Sequence, residues 1–115
     1  MGCCQLAFSS VNNKSVAKGN TDDGFKSSGA DGAGVEGLLH ESTSMNNGGK
    51  GVVFEEENSG SLNVLVDQYT TSNNDDSDDT GIEVVQEAPG SGLLIVRDSS
   101  IDDGIDDDGV TVIVQ

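Results

Sequence analysis

The hydrophobic positions of this chain concentrate in five short runs, all of them in its second half. Each run is three to five residues long and rich in β-branched side chains, a composition that favours strands over helices. The runs are Val52–Phe54, Leu62–Val66, Ile82–Val85, Leu93–Val96 and Val110–Val114. Turn-forming residues at 58–60 and 88–92 separate the first run from the second and the third from the fourth. The pattern therefore predicts two β-hairpins.

The first half of the chain is poor in apolar residues and rich in Gly, Ser and Asn. Segments such as 27–34 and 46–51 would bury little surface and lose much backbone entropy on ordering. We therefore expect a largely disordered protein, with at most a small all-β set of short strands or hairpins in the C-terminal half. The predicted organisation is a leader at 1–8, a flexible tether at 9–50, and an acidic, Val/Ile-rich module with transient or marginal β-structure at 51–115.

Composition and charge exclude several functions. The chain has 115 residues, with 21 Asp and Glu against five Lys and Arg, a formal net charge of −16. Residues 51–115 hold Arg97 against 16 of the acids. Such a polyanion is repelled by nucleic acid, so no nucleic-acid partner is expected. The two cysteines are adjacent and cannot form a disulfide framework, and no apolar run is long enough to span a bilayer.

The leader carries the clearest motif. Removal of Met1 would expose the amine of Gly2 for N-myristoylation, and Cys3 and Cys4 are candidates for S-acylation. One myristoyl chain supports an association constant of only ~10⁴ M⁻¹, so the cysteines would supply the second anchor. Leu6 departs from the usual motif, which has Ser or Thr at this position. The leader resembles those of dually acylated signalling proteins, which implies peripheral attachment to the cytosolic face of the plasma membrane or an endosome.

The acidic module offers segments for a protein partner. Short aliphatic runs beside acidic residues look like SUMO-interacting motifs, in which an extended segment adds a strand to the partner's sheet. The same combination suits any protein with a basic surface, because opposite charge steers the encounter. The alternative interpretation is that these runs are the protein's own core strands. The candidate partner-binding residues are Ile82, Val84, Val85, Val110, Val112 and Ile113.

A calcium site is a further alternative. Residues 76–87 reproduce the spacing of an EF-hand loop, with Asp76, Asp78, Thr80 and Glu87 as candidate ligands. Thr80 replaces the usual Asp or Asn, Glu83 stands where the loop has an aliphatic residue, and no flanking helices are predicted. This spacing therefore indicates, at most, a low-specificity Ca²⁺-binding acidic protein.

Catalytic residues are scarce. His40 is the only histidine, and no nucleophile stands at a diagnostic spacing from it. We therefore expect no enzyme activity, no cofactor and no small-molecule substrate. The leading hypothesis is a lipid-anchored, non-enzymatic acidic tether or adaptor at a cytosolic membrane face that binds a basic-surfaced protein. The first alternative is a soluble acidic protein with multiple SUMO-interacting strands.

Overall fold

Short strands separated by sharp corners wind the chain around a common axis. The computed structural model describes residues 8–29, 34–57, 60–74, 80–87, 90–102 and 104–115, with side chains from residue 13 onward. The strands are β1 (Phe8–Asn13), β2 (Val16–Lys18), β3 (Phe25–Gly29), β4 (Val35–His40), β5 (Thr43–Met45), β6 (Val52–Glu56), β7 (Ser61–Asp67), β8 (Thr70–Ser72), β9 (Ile82–Gln86), β10 (Ser91–Arg97), β11 (Ser100–Ile101), β12 (Ile105–Asp108) and β13 (Val110–Val114).

The strands form three parallel sheets, and successive strands of the chain enter successive sheets. The first sheet has the order β1-β4-β7-β10-β13, the second β11-β8-β5-β2 and the third β12-β9-β6-β3. Every pairing between neighbours is parallel. Each coil thus contributes one strand to each sheet, and β13 begins a fifth coil. This architecture is a parallel β-helix.

Equivalent positions recur at a nearly constant interval. Hydrogen-bonded equivalents are 27 residues apart between the first and second coils and between the second and third. They are 30 residues apart between the third and fourth coils. Each coil therefore pairs only with residues about one repeat away, and no pairing is local in sequence.

A single residue in the left-handed region turns the chain from the first sheet to the second in every coil. Lys14, Glu41, Gln68 and Asp98 follow β1, β4, β7 and β10, with φ between 48° and 55°. Non-glycine residues rarely adopt this conformation. The backbone N–H groups of Lys14, Glu41 and Gln68 each donate to a carbonyl of the next coil, at 2.9 to 3.0 Å. This repeated bond helps to hold the corners against their intrinsic preference.

The interior of the β-helix is aliphatic. Inward-facing side chains stack in rows from coil to coil, so that Leu39, Val66 and Val96 form one row with at most 1% exposure. A single coil cannot bury this face alone, and stacking of neighbours creates the continuous core. The other members of the core are Val35, Val52, Phe54, Leu62, Val64, Tyr69, Ile82, Val84 and Leu94.

Polar side chains also stack inside the coils. Asn20, Asn47 and Asn74 occupy one row, and the Asn47 side chain is central to it. Its Nδ2 donates to Asn74 Oδ1 at 2.8 Å and to Ser44 Oγ at 2.9 Å, while its Oδ1 accepts from Asn20 Nδ2 at 2.8 Å. Asn47 and Asn74 are each 1% exposed. These bonds let a polar sequence enter a packed interior without leaving buried polar groups unpaired.

The expectation of a largely disordered chain is wrong, although its all-β component is correct. The radius of gyration is 13.5 Å, against ~13 Å expected for a folded chain of this length and ~34 Å for an unfolded one. β2 to β5 lie within the Gly- and Ser-rich first half, which the asparagine row and the stacked corners stabilise. The expected hairpins are also wrong, because β6 and β7 lie in different sheets, as do β9 and β10.

Candidate functional site

The end of the β-helix formed by residues 98–115, here called the last-coil end, presents three edge strands. β11, β12 and β13 each stand last in their sheets among the residues that the structure describes. Each is paired on one side only, with β8, β9 and β10 respectively. An edge strand presents backbone N–H and C=O groups to which another strand can pair.

Aliphatic side chains at this end are incompletely covered. Val110 and Val112 pack against the core from inward positions of β13 and are partly buried. Ile113 is 41% exposed and Val114 is 66% exposed. The interior of the β-helix therefore continues to the solvent here as a small apolar surface.

The same end is acidic. Residues 98–115 contain no Lys, Arg or His. The side chains of Asp98, Asp102, Asp106, Asp107 and Asp108 are all exposed. The last three stand directly before β13, separated from it by Gly109. Their field attracts cationic groups toward the exposed edge of that strand.

A charged row runs along the outer face of the first sheet. His40 Nδ1 lies 3.0 Å from Asp67 Oδ2, and Arg97 Nε donates to Asp67 Oδ1 at 3.3 Å. His40 Nε2 lies 3.3 Å from a carboxylate oxygen of Glu41. The Arg97 hydrogen bond lowers the pKa of Asp67 below its ordinary value, because it favours the carboxylate, and His40 adds to the effect against an opposing contribution from burial. The row joins three successive coils electrostatically.

One carboxyl group lies inside the β-helix. Glu56, the last residue of β6, has no solvent exposure, and neither carboxylate oxygen has a hydrogen-bond partner. Burial raises the pKa of Glu56. The backbone amide of Gly60, which lies outside hydrogen-bond geometry, offsets part of this rise, and the negative charge of Glu57 adds to it.

The acylation and calcium predictions fall largely on residues outside the described part of the chain. Gly2, Cys3 and Cys4 lie there, as do Asp76 and Asp78. Of the other two proposed calcium ligands, Thr80 is 4% exposed and Glu87 is exposed to solvent. In the ranges that the structure describes, no group of three or more His, Cys, Asp or Glu side chains could hold a metal ion.

The structure separates the two proposed partner-binding segments. Ile82 and Val84 are fully buried on β9, Val85 is partly buried, and β9 is paired on both sides, with β6 and β12. A strand of another protein therefore has no edge of β9 to join. Val110, Val112 and Ile113, by contrast, lie on β13 at the last-coil end, beside the exposed aspartates.

The sequence analysis did not identify the asparagine row or the interior position of Glu56. The available signal was the recurrence of Asn20, Asn47 and Asn74 at intervals of 27 residues, which is typical of a repeat architecture. Glu56 gave no such signal, because it stands among Glu55 and Glu57 in what reads as an acidic run.

Comparison with protein-family models, curated proteins and solved structures finds no match to this chain. In the part of the chain described, no helix has the length and apolar character needed to cross a membrane. The functional argument therefore rests on the geometry of the β-helix itself.

Proposed function

We propose that this protein is a non-enzymatic, acidic adaptor that binds a basic-surfaced protein through β13. The observation that supports this proposal is the combination of an edge strand, exposed aliphatic side chains and exposed carboxylates at one end of the β-helix. In such an interface, main-chain hydrogen bonds provide affinity, alternate side chains give specificity, and charge steers the encounter.

The alternation along β13 defines what each face of an added strand would contact. Val110 and Val112 point toward the interior, so inward side chains of the added strand would extend the aliphatic rows. Thr111 and Ile113 point outward on the first sheet. Asp106 to Asp108 precede β13 and would meet basic side chains of the partner. An extended segment that alternates aliphatic and basic residues therefore has the complementary chemistry.

Membrane attachment completes the proposal. Acyl chains on Gly2, Cys3 and Cys4 would hold the chain at a cytosolic membrane face, and the leader directly precedes β1. β1 and β13 are the outermost strands of the five-stranded first sheet. With parallel strands about 4.8 Å apart, β13 lies about 19 Å from β1 along the β-helix. The anchor and the partner-binding strand are thus at opposite ends.

A titration monitored by NMR tests the partner-binding proposal. The ¹⁵N-labelled full chain is titrated with a ten-residue peptide of alternating Val and Lys, and separately with a peptide in which Glu replaces Lys. The expected result is that the lysine peptide perturbs the amides of Val110–Val114 and that the glutamate peptide does not. Equal shifts with both peptides, or shifts confined to β4 and β7, would contradict strand addition at this end.

Charge variants sharpen this experiment. A triple variant, Asp106→Asn with Asp107→Asn and Asp108→Asn, is expected to bind the lysine peptide about tenfold more weakly, equivalent to ~1.4 kcal/mol. The matched control changes the net charge equally but away from the last-coil end, by Asp22→Asn, Glu36→Gln and Glu55→Gln. Equal weakening in both variants would show that net charge, and not this end, attracts the peptide.

A SUMO-type partner is the second candidate. It is supported by the arrangement of Val110, Val112 and Ile113, which follow the aliphatic pattern of such motifs and lie on an edge strand. Titration of the labelled chain with SUMO should then perturb β13, and the Ile113→Ser variant should abolish the shifts. Shifts absent from β13 would exclude this candidate while leaving the binding of the lysine peptide as a separate result.

A further inference from the structure

We infer that Glu56 is a proton-controlled switch within the β-helix, whose ionisation opens the backbone hydrogen bonds on either side of the end of β6. The inference is independent of the proposed partner binding. It starts from the position of this carboxyl group, which is enclosed by backbone and side chains and has no exposure to solvent.

The row that contains Glu56 has glycine at both ends. Glu56 pairs with Gly29 on β3 and with Gln86 on β9. Gly109 stands next in this direction, so close that a Cβ on it would collide with the carbonyl oxygen of Gln86. The two glycines contribute no side chain to the row. Glu56 is therefore a bulky acidic group in a row that is otherwise neutral.

The surroundings of Glu56 provide no compensating cation. The adjacent charged residues, Glu57 on its own segment and Glu87 at the end of β9, are both acids. On the strands that pair with β6, Lys26 of β3 and Glu83 of β9 stand in a different, outward row with Val53. On β4 and β7, which pack beside β6, the charged residues Glu36, His40 and Asp67 lie on outward positions of the first sheet.

The missing compensation decides which form of Glu56 the interior accepts. A buried carboxylate without a charge partner or a hydrogen-bond donor costs far more free energy than a buried neutral carboxylic acid. The protonated side chain can remain in the row. Once it loses its proton, the carboxylate gains hydration only by leaving the interior, and the end of β6 must move with it.

Two backbone hydrogen bonds report this movement. Glu57 N–H donates to Gly29 O at 3.0 Å, and Glu87 N–H donates to Glu56 O at 3.0 Å. These bonds connect the end of β6 to the coils before and after it. Opening at Glu56 would expose both amides to exchange with solvent, while amides in the middle of β7 and β10 would stay protected.

The direction of the pH dependence follows from the raised pKa of Glu56. Its ordinary value is 4.5, and burial places the folded-state value above this. The protonated form is thus favoured by the folded state, so the closed arrangement is complete below pH 4.5 and is lost as the pH rises through the folded-state pKa.

Amide hydrogen exchange of the full chain, measured by NMR between pH 4.5 and pH 8, tests the switch. After correction for intrinsic exchange, protection of the Glu57 and Glu87 amides is expected to fall about tenfold or more across this range. In Glu56→Gln it should stay constant within about twofold. Glu57→Gln, which makes the same charge change at an exposed neighbour, should behave as the wild type does. The same pH profile in Glu56→Gln and wild type would overturn the inference, as would an equal loss of protection along the whole chain.

A second measurement does not depend on any variant. Titration of the Glu56 side-chain carboxyl carbon by ¹³C NMR in the wild-type chain gives its midpoint directly. A midpoint clearly above that of Glu57, with shifts of the Glu57 and Glu87 amides at the same pH, supports the switch. A midpoint at or below that of Glu57 would overturn it even if Glu56→Gln failed to fold.

Discussion

Replacing Asn47 with Ala should remove the central member of the asparagine row and sharply reduce stability. The Asn47 side chain donates to Asn74 Oδ1, Ser44 Oγ and the Ala17 carbonyl, at 2.8, 2.9 and 3.2 Å. It accepts from the backbone and side-chain nitrogens of Asn20, at 3.0 and 2.8 Å. Alanine removes all five contacts and keeps only the backbone bond of residue 47 to Asn74.

The expected magnitude follows from which partners lose their bonds in the interior. Ser44 and Asn74 are at most 1% exposed, so water cannot readily replace the lost bonds there. A buried polar group left without a partner costs about 1–3 kcal/mol. Asn74 keeps its bonds to Ser44 and Thr71, which limits its share. We therefore expect Asn47→Ala to cost about 3 kcal/mol, a large fraction of the ~5–15 kcal/mol typical of a domain.

Urea unfolding of wild type and variant at pH 7, followed by circular dichroism, measures this change. The matched control is Asn20→Ala at the exposed end of the same row, expected to cost ~1 kcal/mol, because water can replace its bonds to Asn47. A cost below about 1 kcal/mol for Asn47→Ala, or equal costs at the two positions, would refute the view that the row stabilises the polar first half of the chain.

Three further outcomes are expected. Asp67→Asn should make acid unfolding below pH 3.8 less steep than in wild type, as measured by circular dichroism, because the depressed pKa of Asp67 gives stability that is lost as the pH falls through its folded-state value; an unchanged acid transition would contradict this. Gly51→Ala should lower the urea midpoint far more than Gly37→Ala, by about 2 kcal/mol or more, because its Cβ would meet the Gly81 carbonyl and not the movable side chains beside Gly37; similar midpoints would argue against this packing. Gly2→Ala should abolish alkyne-myristate labelling and shift the protein from the membrane to the soluble fraction, and a wild type that is itself unlabelled and soluble would exclude the anchor.

The switch at Glu56 and the acidic last-coil end involve different parts of the chain. β6, which carries Glu56, lies two strands away from β12 in the third sheet, while β13 belongs to the first sheet. Peptide binding measured at pH 5 and pH 8 in Glu56→Gln and wild type therefore separates two effects. The Asp106–Asp108 carboxylates would act in both proteins, whereas any effect of Glu56 would be confined to wild type.

The sequence by itself determined where strands form in the second half. The runs Val52–Phe54, Leu62–Val66, Ile82–Val85, Leu93–Val96 and Val110–Val114 all lie within strands, because β-branched side chains favour extended backbone wherever they can pack. It also determined the strong acidity of the last coil. These properties depend on residue type and on neighbours in the sequence.

Pairing and burial were decided only by the tertiary structure. Partners lie about one repeat apart, at 27 or 30 residues, so that turn chemistry between neighbouring runs could not reveal them. The polar first half enters the fold because Asn20 and Asn47 gain partners from the following coils, which hydropathy cannot register. Burial of Glu56 likewise depends on the row that it shares with Gly29 and Gln86. Stacking between coils is the physical reason, since it turns residues that are distant in sequence into neighbours in space.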